Sequence, residues 1–151
     1  MNRNQFGLAA IVLFLSLVAA TVYAAPGYGG RGSGGWGMGG SYQRLYNPAT
    51  VETVTGEVIA VEKFTPVKGM RVGIHIRLKT DRETIAVHLG PSWFMERLEA
   101  KIETGDKLEV RGSRVTMGGK PAIIAAEVKK GDMILKLRDD SGIPVWAGWR
   151  R

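Results

Sequence analysis

The sequence predicts an all-β domain with one short helix: a five-stranded Greek-key barrel of the OB type plus a C-terminal hairpin extension. Three observations predict it. Apolar residues alternate with polar ones through Val72, Ile74, Ile76 and Leu78, and again through Ile85, Val87 and Leu89, which is the period-2 pattern of half-buried strands. Gly56 interrupts the first long run, and the apolar parity changes across it, from Val54 to Ile59 and Val61; a strand that bends there can serve two parts of a closed sheet. The element order is strand, strand, strand, short helix, strand, strand, as a Greek-key OB barrel requires.

The chain begins with the features of a secretory signal peptide over residues 1–24. Arg3 supplies the positive end, Leu8 to Ala20 is apolar apart from Ser16, and Val22-Tyr23-Ala24 offers small residues for cleavage before Ala25. An uncleaved anchor is the alternative, but the apolar run is short for a membrane span. The expected location is therefore periplasmic or secreted, with no transmembrane span after cleavage. Residues 25–49 read as a flexible tether and approach segment. Nine of the fourteen residues from Gly27 to Gly40 are glycine, a composition too poor in apolar surface to offset its ordering entropy. Tyr42, Leu45 and Tyr46 are expected to dock on the outside of the domain.

The barrel domain is assigned to residues 50–151, with its extension starting near 131. Thr50 to Phe64 is the long first strand, and Pro66 and Gly69 mark the loop after it. Met70 to Lys79 and Glu83 to Leu89 form the next two strands around the turn Asp81-Arg82. That turn fixes the pairing: Ile76 meets Val87, Leu78 meets Ile85, Ile74 meets Leu89, and His75 meets His88. Gly90 to Ala100 is a short helix, with Pro91 and Ser92 suited to its first turn and Phe94 and Leu98 on one face. Trp93 is expected to be buried, at a barrel end or over a binding face. Lys107 to Thr116 and Pro121 to Val128 are the fourth and fifth strands. Gly131-Asp132 and Asp140-Ser141-Gly142 turn the chain into the extension and tail.

The residues that carry this order also carry a resemblance. VTGEVIAV in the first strand, VHLGPSWF at the end of the hairpin, GDKLEVRGSRV, KPAIIAAEVKKG and the ending LRDDSGIPVWAGWRR resemble small exported bacterial OB-fold proteins. These are often labelled nucleic-acid-binding or stress proteins. The resemblance covers roughly Thr50 to Val128 and implies fold and export, not an activity.

Composition limits the chemistry. There is no cysteine, hence no disulfide, thiolate metal site or lipoprotein anchor. No GxxxxGK[ST] or HExxH motif occurs, and Asp139 and Asp140 are explained by turn chemistry. The expectation is a non-enzymatic binding module. The net charge of +7, or +6 without the first 24 residues, suits an anionic ligand, with nucleic acid one candidate, although exported domains are also basic for solubility alone. The hairpin's outer face places Arg71, His75, Arg77, Lys79 and His88 together, with Trp93 nearby, on the surface where OB barrels bind ligands. The face has no aromatic residue of its own to stack bases; Trp93, Tyr42, Trp146 or Trp149 would have to reach it.

His75 and His88 are also candidate copper or zinc ligands, about 5 Å apart across the ladder. In this they are similar to small periplasmic copper chaperones, OB barrels that use His, Met and a nearby Trp. The departure is plain: no Met-x-Met pair follows, Met70 has the inward parity, and no third ligand is specified. No resident cofactor is otherwise expected. A third reading makes the chain an accessory subunit recruited to a protein partner through Trp146, Trp149, Arg150 and Arg151.

Overall fold

The computed structural model of the chain describes Thr21, Val22 and residues 34–147. The cleavage site and the first part of the expected tether lie outside the described residues, as do Trp149, Arg150 and Arg151.

Among the described residues, seven strands form one sheet: β1 (Thr21–Val22), β2 (Val51–Phe64), β3 (Gly73–Lys79), β4 (Thr84–Pro91), β5 (Lys107–Met117), β6 (Lys120–Lys130) and β7 (Met133–Lys136). Strands β2 to β6 close on themselves in the order β2-β3-β4-β6-β5, with β5 returning to β2. All these pairings are antiparallel except β4 with β6. This closed five-strand ring is the expected OB-like barrel, and β6 with β7 is the expected hairpin extension.

The hairpin register is the expected one. His75 pairs with His88, Ile76 with Val87, Arg77 with Ala86 and Leu78 with Ile85. Thr80 closes the turn, its N–H donating to the Glu83 carbonyl at 2.8 Å. The register slips between Ile74 and His75, so Ile74 meets Gly90 rather than Leu89. A β-bulge there adds one residue and ends the simple alternation.

The first strand changes face, but not at Gly56, and the Ile59 and Val61 expected on its apolar side are exposed. Its register shifts between Val58 and Ala60, so Val58 stands opposite Leu78 and Val61 opposite Ile76. Gly56 is a glycine for a different reason. Its φ is not positive; a Cβ at 56 would run into the Lys79 carbonyl oxygen of the neighbouring strand.

Ile76, Leu78, Ile85, Val87, Leu108, Val110, Ile123 and Val128 fill the barrel and are all but inaccessible. The helix is shorter than expected, a single turn α1 (Ser92–Met95), because β4 runs on to Pro91. Its Phe94 is fully buried, with Leu98 in the turn that follows.

A second apolar layer lies outside the barrel. Trp36 is 1% exposed, Tyr42 3% and Trp146 1%. Thus residues 34–40 pack rather than hang as a free tether, while Tyr42 and Tyr46 dock on the outside of the barrel as expected and Leu45 stays exposed. Glycine content alone misjudges this segment. A buried aromatic removes roughly 150–250 Å² from water, about 4–6 kcal/mol at the usual area coefficient, enough to order a short glycine-rich arm. Trp146 ties the arm to the tail: its indole N–H donates to the Trp36 carbonyl at 2.8 Å. Ala122 to Ala126 of β6 are buried on both faces.

Candidate functional site: the capped histidine face

Three elements build the site. β3 and β4 present His75 and His88 from directly opposed positions. β2 adds Phe64 and Glu62, since Glu62 pairs with His75 and Phe64 with Gly73. The arm over residues 34–46 closes it from above.

Phe64 is the centre of the cluster. Its ring stacks on His75 with centroids 4.5 Å apart and lies 4.4 Å from His88. The two imidazoles are 6.0 Å apart. The Tyr42 ring lies nearly parallel to His88 with centroids 6.0 Å apart, and Trp36 meets Tyr42 edge-on at 5.0 Å. Trp36 reaches this position because residue 73 is glycine; a Cβ there would overlap the indole. The indole N–H then donates to the Arg71 carbonyl at 2.9 Å, and the Arg71 N–H donates to the Gly34 carbonyl at 2.9 Å.

The two histidines therefore live in different environments. His75 Nε2 donates to the Glu62 carboxylate at 2.8 Å, and its side chain retains 19% exposure. His88 is 4% exposed, with Nδ1 hydrogen-bonded to the Tyr42 hydroxyl at 3.0 Å. Burial, then the neighbouring His75 and Arg138, hold the His88 pKa down at about 3. Burial also pushes the Tyr42 phenol well above its ordinary range. A neutral phenol donating to a neutral imidazole satisfies both groups.

Behind His88 lies Arg138, 3% exposed. One guanidinium nitrogen donates to the carbonyls of Leu89 and Ala125, and the group sits 5.1 Å from the Trp146 ring centre. Burial lowers its pKa, and no carboxylate pairs with it among the described residues. This buried cation helps keep His88 uncharged.

The expected site residues thus separate. His75 and His88 are neighbours, but His88 is beneath the arm, not on an open face. Arg71, Arg77 and Lys79 are exposed. Trp93 is half-buried on α1, against Phe94 and 5.7 Å from the Arg97 guanidinium. Trp146 is an internal strut. Among the described residues, no group of three or more His, Asp and Glu is arranged to hold a metal ion. Sequence reasoning missed Phe64 and Arg138. Phe64 was legible in principle, because after the bulge it shares the face of Glu62; nothing in the sequence marks Arg138 as buried.

The fold and this face define a small closed, OB-like β-barrel whose β3–β4 histidine face is capped by its own N-terminal arm. The chain belongs to the MamS/MamX magnetosome protein family, whose profile matches residues 50–135. The match spans β2 to β7 and stops short of Arg138 and Trp146. It lends no support to a nucleic-acid or stress label. No curated protein matches the chain. No helix among the described residues is long and apolar enough to cross a membrane.

Proposed function

We propose that the protein is an exported, non-enzymatic binding module of the magnetosome family that holds an anionic ligand on the outer face of the β3–β4 hairpin. Arg71, Arg77 and Lys79 are the contacts, with the partly buried His75 between Arg71 and Arg77 along the chain. One observation carries the reading. Lys63, Arg111, Arg114, Lys129 and Lys130 are each engaged by a carboxylate. Arg71, Arg77 and Lys79 are exposed with no ion pair among the described residues; exposed Arg44, Lys68, Lys107, Lys120 and Lys136 are also unpaired, but only these three gather on and beside the strand that carries His75. Unneutralised cations on one hairpin attract polyanions through counterion release.

Inorganic polyphosphate is the probe. Arg71→Ala, Arg77→Ala and Lys79→Ala should each weaken its binding, and affinity should drop steeply between low and moderate salt. Binding that ignores all three substitutions would overturn the proposal. The metal reading predicts the opposite pattern: copper or zinc affinity lost in His75→Ala and in His88→Ala, and unchanged in Arg77→Ala. The burial of His88 and its bond to Tyr42 weigh against that reading.

A further inference from the structure

The chain fills one edge of its own sheet. β7 pairs with β6 on one side, over Met133 to Lys136. On its other side lies β1, parallel, with Thr21 opposite Ile134 and Val22 opposite Leu135. Barrel closure gives β2 to β6 neighbours on both sides, and leaves β7 with one barrel neighbour. Thr21 and Val22 fall within the segment expected to be removed on export. Cleavage before Ala25 would take away β1 and expose the backbone N–H and C=O groups of β7, and an unpaired strand edge accepts another strand.

We propose that β7 is a strand-acceptor site, occupied by the chain's own Thr21–Val22 before processing and open afterwards to an extended, β-branched segment of a protein partner added in parallel. The inference rests on the export reading above. The occupant's chemistry follows from the strand already seated there, a Thr-Val pair. Leu135 is 1% exposed and Ile134 half-buried, so the site offers its edge through backbone bonds rather than a deep side-chain pocket. A second copy of the chain is the poorer occupant. β7 is four residues long and ends in exposed Lys136, and short edges tipped with lysine resist pairing with their own copies.

The test compares the full-length precursor with protein purified after export, its N-terminus identified by sequencing. Hydrogen exchange is followed at Met133 to Lys136, with the synthetic peptide Ala-Ala-Thr-Val-Tyr-Ala, matching residues 19–24, as probe. The exported protein should exchange these amides about tenfold faster than the precursor, as expected when a local opening loses its cover, and the peptide should restore protection. Val22→Pro in the precursor should open the same amides, because proline cannot donate to a ladder, without touching the barrel core. An exported chain starting at Ala25 whose β7 amides exchange no faster and gain nothing from the peptide would overturn the acceptor site while leaving export intact. An exported chain that still begins at Met1 or Asn2 would overturn the opening of the site by processing, and the export reading with it. Unchanged exchange in Val22→Pro would overturn the occupancy itself.

Discussion

His88 is the residue at which burial and chemistry are most at odds. An imidazole 4% exposed, beside a buried guanidinium, stays neutral to about pH 3 in the folded chain. In the unfolded chain it protonates near its ordinary value of about 6.5. Between those two values the unfolded state binds the extra proton, so stability is complete above pH 6.5 and declines as pH falls towards 3. The loss attributable to this group is on the order of 3–5 kcal/mol across that window. Denaturant midpoints measured from pH 7.5 to 4 should therefore fall in the wild type and fall less in His88→Gln. Equal slopes would remove His88 as the cause. Tyr42→Phe should cost about 1–3 kcal/mol at pH 7, because it strips a buried nitrogen of its partner. At this scale the sequence was half legible. Alternation placed His75 opposite His88, but it could not reveal that one of them is roofed over by residues 46 positions away.

At the scale of elements, what was legible followed period and turn chemistry, and what was not followed long-range packing. The strands of the barrel and the β3–β4 register came from apolar alternation around Asp81-Arg82. Gly56 signalled a local constraint, although the face change belongs to the bulge near Ile59. Residues 34–40 read as a tether because glycine content dominates any local average, whereas their packing depends on Trp36 finding Arg71, Gly73 and Trp146. Trp36→Ala should accordingly destabilise the fold by about 3–5 kcal/mol, the usual cost of emptying a buried aromatic site. The same substitution should raise the exposure of His88, which chemical modification by diethyl pyrocarbonate reads directly. A melting temperature unchanged from wild type, with His88 still protected, would return residues 34–40 to the status of a tether.

At the scale of the whole molecule, net charge and its placement are separate quantities. All fourteen Asp and Glu residues lie between Glu52 and Asp140, within the barrel and its extension. Without residues 1–24 the net charge is +6, and half of that surplus sits on Arg31, Arg150 and Arg151, outside the described residues. A basic composition therefore does not by itself locate an anion site on the hairpin; the termini compete for the role. The salt dependence of polyphosphate binding separates them. Each backbone phosphate contact contributes roughly 0.7–0.9 to the slope of log affinity against log salt for nucleic acids, and a comparable increment is expected for another polyanion. If the hairpin is the site, combining Arg71→Ala, Arg77→Ala and Lys79→Ala should lower that slope by about 2–3, and Arg150→Ala with Arg151→Ala should leave it nearly unchanged. The reverse result would move the contact to the C-terminal arginines, and the protein would then engage its anionic partner through its tail and leave the capped barrel face uninvolved.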